Sequence, residues 1–237
     1  MDTYEQAALA DVEVWKKKLM KKSGKFSRVS KKAQNKISGV IPDKVHEVIT
    51  DSMKSLVTGV LAGSEYIHKE KDVSMLSFEQ KEKWVREKID TYKKTATVEG
   101  AGTGAGGIFL GLADFPLLLS IKMKFLFEAV HLYGFDVKEF EERIFILYVF
   151  QLAFSSDEKK QETLFLLENW DEQKEKLTEL DWQTFQQEYR DYIDLVKMLQ
   201  LVPGIGAVVG AYANYNLLQH LGETVMNCCR MRLLNGG

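Results

Sequence analysis

A length of 237 residues allows one large domain or two small ones, and 45% hydrophobic with 28% charged residues is the composition of a folded globular protein. The two cysteines, Cys228 and Cys229, are adjacent, and neighbours do not readily meet disulfide geometry, so a reducing compartment is expected. The net charge of −2 argues against a uniformly basic nucleic-acid binder, yet it hides an uneven distribution.

Between Lys16 and Lys36 lie Lys16, Lys17, Lys18, Lys21, Lys22, Lys25, Arg28, Lys31, Lys32 and Lys36, with no acidic residue among them. Trp15, Leu19, Met20, Phe26 and Val29 interleave with these cations. The pattern reads as a basic amphipathic helical arm over 1–38 on an acidic body over 39–237. Such an arm suits an anionic membrane surface, at about 1 kcal/mol per cation near the headgroups. An equally plain reading is a solvated face matched to the acidic body. Nucleic acid is disfavoured, because aromatic platforms and recognised binding motifs are missing. The opening MDTYEQAALADVEVW is acidic and lacks the basic start and apolar run of a secretory leader. A cytoplasmic protein is therefore expected, with a peripheral position at the inner face of the cell membrane open to it.

The first helix is expected over Thr3 to Lys22, broken by Ser23 and Gly24, with a short second helix to Ser38 and a stop at Gly39. Pro42 suits the first turn of a third helix, in which Val45, Val48, Ile49, Met53, Leu56, Val57, Val60 and Leu61 recur at helical spacing. Its HEVIT string, His46 to Thr50, lacks the second histidine of a zinc-protease motif. His68, His131 and His220 are isolated, so no metal and no cofactor is expected. Ser77 and Gln80 form a capping box that opens a helix through Phe78, Trp84, Val85, Ile89 and Tyr92.

That helix leads into EGAGTGAGGIFLGLADFPLLLSI, Glu99 to Ile121. A second charge-poor, glycine-bearing stretch, MLQLVPGIGAVVGAYANYNLLQHLG, fills the chain between Lys197 and Glu223. Gly100 and Gly104, and Gly107 and Gly111, are four apart, as are Gly206 and Gly210, the spacing that lets helix backbones approach closely. A close crossing of two glycine-rich helices is expected at the centre of an all-α, single multi-helix domain. Gly102, Gly104 and Gly107 also satisfy GxGxxG, but a charged helical segment precedes them where dinucleotide binding requires a strand. The stretch is long enough to span a bilayer, yet a mid-span aspartate, Asp114, costs about 2.5–3.5 kcal/mol on insertion scales.

Asp114, Phe115 and Pro116 read as a helix start, with the helix running to Tyr133 and ending at Gly134. Asp136 and Glu139 suggest another capping box, opening a helix through Phe140, Ile144, Phe145, Leu147, Tyr148 and Phe150. Between Asp157 and Asp194 twelve acidic and five basic residues accompany Leu164, Leu167, Leu177 and Phe185, as in amphipathic flanking helices. Pro203 is expected to start the last helix, ending near Leu233 with Arg230 and Arg232 suiting its C-terminal turn.

EGAGTGAGG, ADFP at Ala113 to Pro116, YGFD at Tyr133 to Asp136, PGIGAVVGAYANY at Pro203 to Tyr215, and the terminal Arg230 and Arg232 together resemble the EcsC family over about residues 40 to 235. The resemblance implies a helical fold, an association with ABC-transporter components, and no established reaction. It places Glu99, Asp114 and Asn214 within its blocks. Two carboxylates and an amide could form an acid–base pair or bind a divalent cation; equally, Glu99 and Asn214 could be polar groups satisfied at a helix crossing. The expectation is therefore a non-enzymatic, membrane-peripheral accessory protein, with a pocket enzyme or lipid-binding protein around Glu99, Asp114 and Asn214 as the alternative.

Overall fold

In the computed structural model the described residues are 1–20, 43–63, 72–102, 115–155, 159–178 and 207–235. They form eight helices: α1 (Thr3–Met20), α2 (Asp43–Ala62), α3 (Phe78–Gly102), α4 (Phe115–Leu132), α5 (Phe140–Phe154), α6 (Lys160–Glu168), α7 (Trp170–Thr178) and α8 (Ala207–Asn235). The protein is all-α, as its periodicity predicts.

Local chemistry sets the ends of these helices. The Ser77 N–H donates to Gln80 Oε1 (2.9 Å) and the Gln80 N–H donates to Ser77 Oγ (3.3 Å), so the expected capping box opens α3. Asp2 and Glu5 make the same reciprocal pair at the start of α1, each bond 2.8 Å. At the end of α4 the Gly134 N–H reaches His131 O and the Phe135 N–H reaches Val130 O, with Gly134 at φ +100°, a conformation in which glycine carries no Cβ penalty. The second expected capping box does not form. Asp136 Oδ1 accepts from the Lys138 N–H (3.0 Å) in a turn, and Glu139 flanks α5 without a side-chain cap. The aspartate lies three residues upstream of Glu139, the N-cap position, and so does not cap the first helical turn.

Of the described helices, α3 and α8 pair most extensively. They run antiparallel: Glu82 meets Arg230, Ile89 meets Gly222 and Lys93 meets Gln219, each step along α3 matched by a similar step back along α8. A Cβ built on Gly222 would stand 2.7 Å from both Cγ1 and Cδ1 of Ile89, so glycine is what allows this approach. α4 returns antiparallel along α3, with Tyr133 beside Lys81 and Glu82, Glu128 beside Lys88, and Phe125 against Tyr92.

The most enclosed helix is α5, buried at every residue from Ile144 to Phe154. A helix apolar around its whole circumference has to sit inside the bundle. Phe145, Phe150 and Phe154 are among its fully buried side chains, each contributing roughly 1.5–3 kcal/mol of burial. α1 adds Val12 and Trp15 to the same core, and Lys16 Nζ crosses to Glu168 Oε1 on α6 (2.9 Å).

Candidate functional site

Two polar layers lie along the α3–α8 pair. The inner layer centres on Glu82, whose side chain is fully buried. Arg230 donates to both its oxygens, through Nε to Oε1 and Nη2 to Oε2 (2.7 Å). The Tyr133 hydroxyl donates to Oε1 (3.1 Å), and the Tyr4 hydroxyl (2.7 Å) and Arg86 (3.0 Å) donate to Oε2. Burial alone would raise the Glu82 carboxyl, but hydrogen bonds and charge from Arg230, with help from Tyr4 and Arg86, hold it below the usual range. The Tyr133 hydroxyl is pushed well above its ordinary value, first by burial and then by the Glu82 charge. One carboxylate thus ties together α1, α3, α8 and the turn after α4. Saturated with donors, it has no free lone pair for a substrate proton. Its role is structural.

Arg232 repeats the device on the other side of α8. Its two terminal nitrogens bind both oxygens of Glu142 at 2.6 and 2.7 Å, and its guanidinium lies 3.9 Å from the Phe135 ring centre and 4.5 Å from that of Phe145. Arg232 stands in the last turn of α8, as expected, and both arginines are in addition charge partners within the bundle.

The outer layer faces the glycine-bearing ends. Lys93 Nζ donates to Gln219 Oε1 (2.7 Å) and lies 4.3 Å from the Tyr215 ring centre, while Gln219 Nε2 donates to Glu223 Oε1 (3.0 Å). Beyond this layer the α3–α8 register brings the backbone of Gly102 level with Gly210, and that of Glu99 level with Ala213 and Asn214. Gly100 belongs to the last turns of α3. Asp114, Gly104, Gly107, Gly111 and Gly206 lie outside the described residues, as do Lys21, Lys22, Lys25, Arg28, Lys31, Lys32 and Lys36. Of the basic stretch, Lys16 is engaged by Glu13 and Glu168, while Lys17 and Lys18 are exposed.

Among the described residues no group of three His, Cys, Asp or Glu side chains could hold a metal ion. Cys228 and Cys229 are completely buried, and burial pushes both thiols above their ordinary range, which removes the thiolate a nucleophile needs. No helix among the described residues is long and apolar enough to cross a membrane.

Sequence reading missed Glu82, Arg230, Tyr133 and Gly222 as the residues that join the helices. The signal for Glu82 was present. It occupies the apolar stripe of α3 at helical spacing from Phe78, Val85 and Ile89, where a carboxylate needs a buried cation.

These features define a class: an all-helical scaffold held by arginine–carboxylate pairs within the bundle. The chain belongs to the EcsC protein family, whose model matches residues 6–234. It is 50% identical over 232 residues to Protein EcsC of Bacillus subtilis (strain 168), covering 98% of this chain and 97% of that one. It is also similar to Uncharacterized protein YdbA of the same organism, 27% identical over 247 aligned positions, covering 94% of this chain and 90% of the relative. No solved structure matches.

Proposed function

We propose that this is a non-enzymatic, membrane-peripheral helical protein of the cytoplasm, resting on the inner face of the cell membrane beside a complex such as an ABC transporter. The observation that carries the reading is topological. The C-terminal end of α3 and the N-terminal ends of α4 and α8 lie at the same end of the bundle, where α3 ends at Gly102 and α8 begins with the uncharged run Ala207 to Asn214. Leu117 (53% exposed) and Tyr215 (42%) border that end, with Lys93 beneath the tyrosine ring. An aromatic and an aliphatic side chain above a cation suit the headgroup region. Exposed Lys17 and Lys18, leading into the rest of the basic stretch, supply a second attraction to anionic lipid. The transporter follows only from the family resemblance.

Co-sedimentation of the purified protein with phosphatidylglycerol and phosphatidylcholine vesicles at low and high salt tests the membrane reading. Binding lost with salt, and lost when Lys17 to Lys36 are neutralised, assigns the contact to the basic stretch. Binding that survives salt but falls with Leu117→Ser and Tyr215→Ser assigns it to the glycine end. No binding to either vesicle sinks the proposal. The alternative, a pocket around Glu99, Asp114 and Asn214, draws on the α3–α8 register, which, carried six residues past Lys93 and Gln219, brings the backbones of Glu99 and Asn214 to about the same level.

A further inference from the structure

Ala8, Val12, Trp15 and Leu19 are spaced by four, three and four residues and so share one face of α1. That face packs on the bundle: the first three are buried, and Leu19 is partly buried against the core. By the same periodicity Lys16 and Lys18 border the face on either side and Lys17 stands opposite it. An apolar face with an aromatic residue and flanking lysines is the pattern of a helix that lies in the headgroup layer of an anionic bilayer. In the docked position the exposed part of this pattern is Lys17 and Lys18, and the apolar part is covered.

The fastenings of α1 differ along its length. Toward its N-terminus the Tyr4 hydroxyl donates to the buried Glu82 carboxylate (2.7 Å), and Asp11 lies 3.7 Å from Arg230. A hydrogen bond to a charged group biases an equilibrium by roughly tenfold or more. Toward its C-terminus Lys16 Nζ reaches Glu168 Oε1 on α6 (2.9 Å), between side chains that are both partly exposed. Glu13, the other partner of Lys16, belongs to α1 and moves with it. An ion pair of this kind contributes at most about fivefold, and one cation beside an anionic bilayer contributes about as much. Exchange of Glu168 for lipid at Lys16 is therefore close to balanced, which is what a reversible fastening requires.

We propose that α1 is a strap that pivots about its N-terminal end at an anionic bilayer, releasing Lys16 from Glu168 and turning Trp15 and Leu19 into the headgroup layer while Tyr4 stays on Glu82. The inference rests on the membrane reading above and deepens it: the contact surface is the covered face of α1 as well as its exposed lysines.

The test fixes the strap. Lys16→Cys and Glu168→Cys in the full chain are joined by a short bismaleimide; Cys228 and Cys229 are completely buried and do not compete for the reagent. Sedimentation with phosphatidylglycerol vesicles compares this variant before and after joining, so that the lost cation is common to both arms. The joined form should bind at least about fivefold more weakly. The ion pair is tested without a cross-link by Glu168→Gln, which should tighten binding about two- to fivefold. The same change of charge on the same helix at exposed Glu162, which pairs with Lys159, should leave affinity within about 1.5-fold. Equal binding before and after joining, with equal effects of Glu168→Gln and Glu162→Gln, overturns the strap and leaves the membrane reading standing. Absence of vesicle binding by the unaltered chain overturns both.

Discussion

Gly222→Ala has opposite signs in two backgrounds if the α3–α8 approach is as close as described. An interior helical glycine costs about 1 kcal/mol relative to alanine, so the substitution alone should stabilise α8. Against this, the new Cβ would sit 2.7 Å from Cγ1 and Cδ1 and 3.3 Å from Cγ2 of Ile89, far inside the ~3.5–4.0 Å of a carbon–carbon contact. Ile89 is buried and part of the core. It cannot swing into solvent, and overpacking of this kind costs typically about 1–3 kcal/mol. The expected net effect in the wild-type background is a loss of up to about 2 kcal/mol. Ile89→Ala removes all three offending atoms at its own cost of about 2–5 kcal/mol. In that background Gly222→Ala should gain about 1 kcal/mol. Urea unfolding of the four proteins gives both differences. Stabilisation by Gly222→Ala in both backgrounds would refute the close approach.

Two further outcomes follow from the buried pairs. Glu82 has its folded-state carboxyl held below its ordinary range by Arg230, so it contributes stability that is present above the unfolded value and lost as pH falls through the folded one. Glu82→Gln should cost about 3–5 kcal/mol near neutrality and flatten the acid limb of a stability–pH curve measured by denaturant titration; a variant with an unchanged acid limb would show that the charge is not held as described. Arg232→Lys should destabilise by about 1.5–3 kcal/mol, because an ammonium cannot bridge both Glu142 oxygens while stacking on Phe135 and Phe145. Melting within a degree of wild type would mean that the bidentate contact contributes little.

Much of the fold was legible because it depends on local rules. Ser77 and Gln80 announce a helix start by their spacing, and Gly134 announces a stop because left-handed backbone there disfavours any side chain. Asp136 misled because the same residue that caps helices also makes tight turns with its own downstream N–H, and only the three-dimensional count of residues to α5 separates the two. The expected crossing of the two glycine-rich segments falls largely outside the described residues, and the α3–α8 pairing rests on other positions. The described glycine at the crossing is Gly222, which belongs to no small-xxx-small pair; its neighbour is a side chain on the opposite helix, a fact that no single-chain pattern encodes. Glu82 and Arg230, 148 residues apart, were hidden for the same reason. In a chain with 34 acidic residues, one carboxylate on an apolar stripe is visible only when the stripe is drawn first.

The charge pattern along the α3–α8 pair gives the glycine end its distinct physical character. At one level Glu82 and Arg230 are saturated by Tyr4, Tyr133 and Arg86, so the helices there are locked by bonds that cost heavily to break singly. Three to four turns on, Lys93 lies in a partly buried layer, paired with Asp90 on its own helix and joined across to the neutral amide of Gln219. Past that layer α3 ends in Gly100 and Gly102, and α8 begins with Ala207 to Asn214, a run without formal charge. Between α3 and α8 the described links therefore weaken along one axis, from a bidentate ion pair to a hydrogen bond with a neutral amide. Local opening follows the weakest layer. Rearrangement between α3 and α8 is therefore cheapest at the end away from Glu82 and Arg230, whose pair keeps the other end fixed.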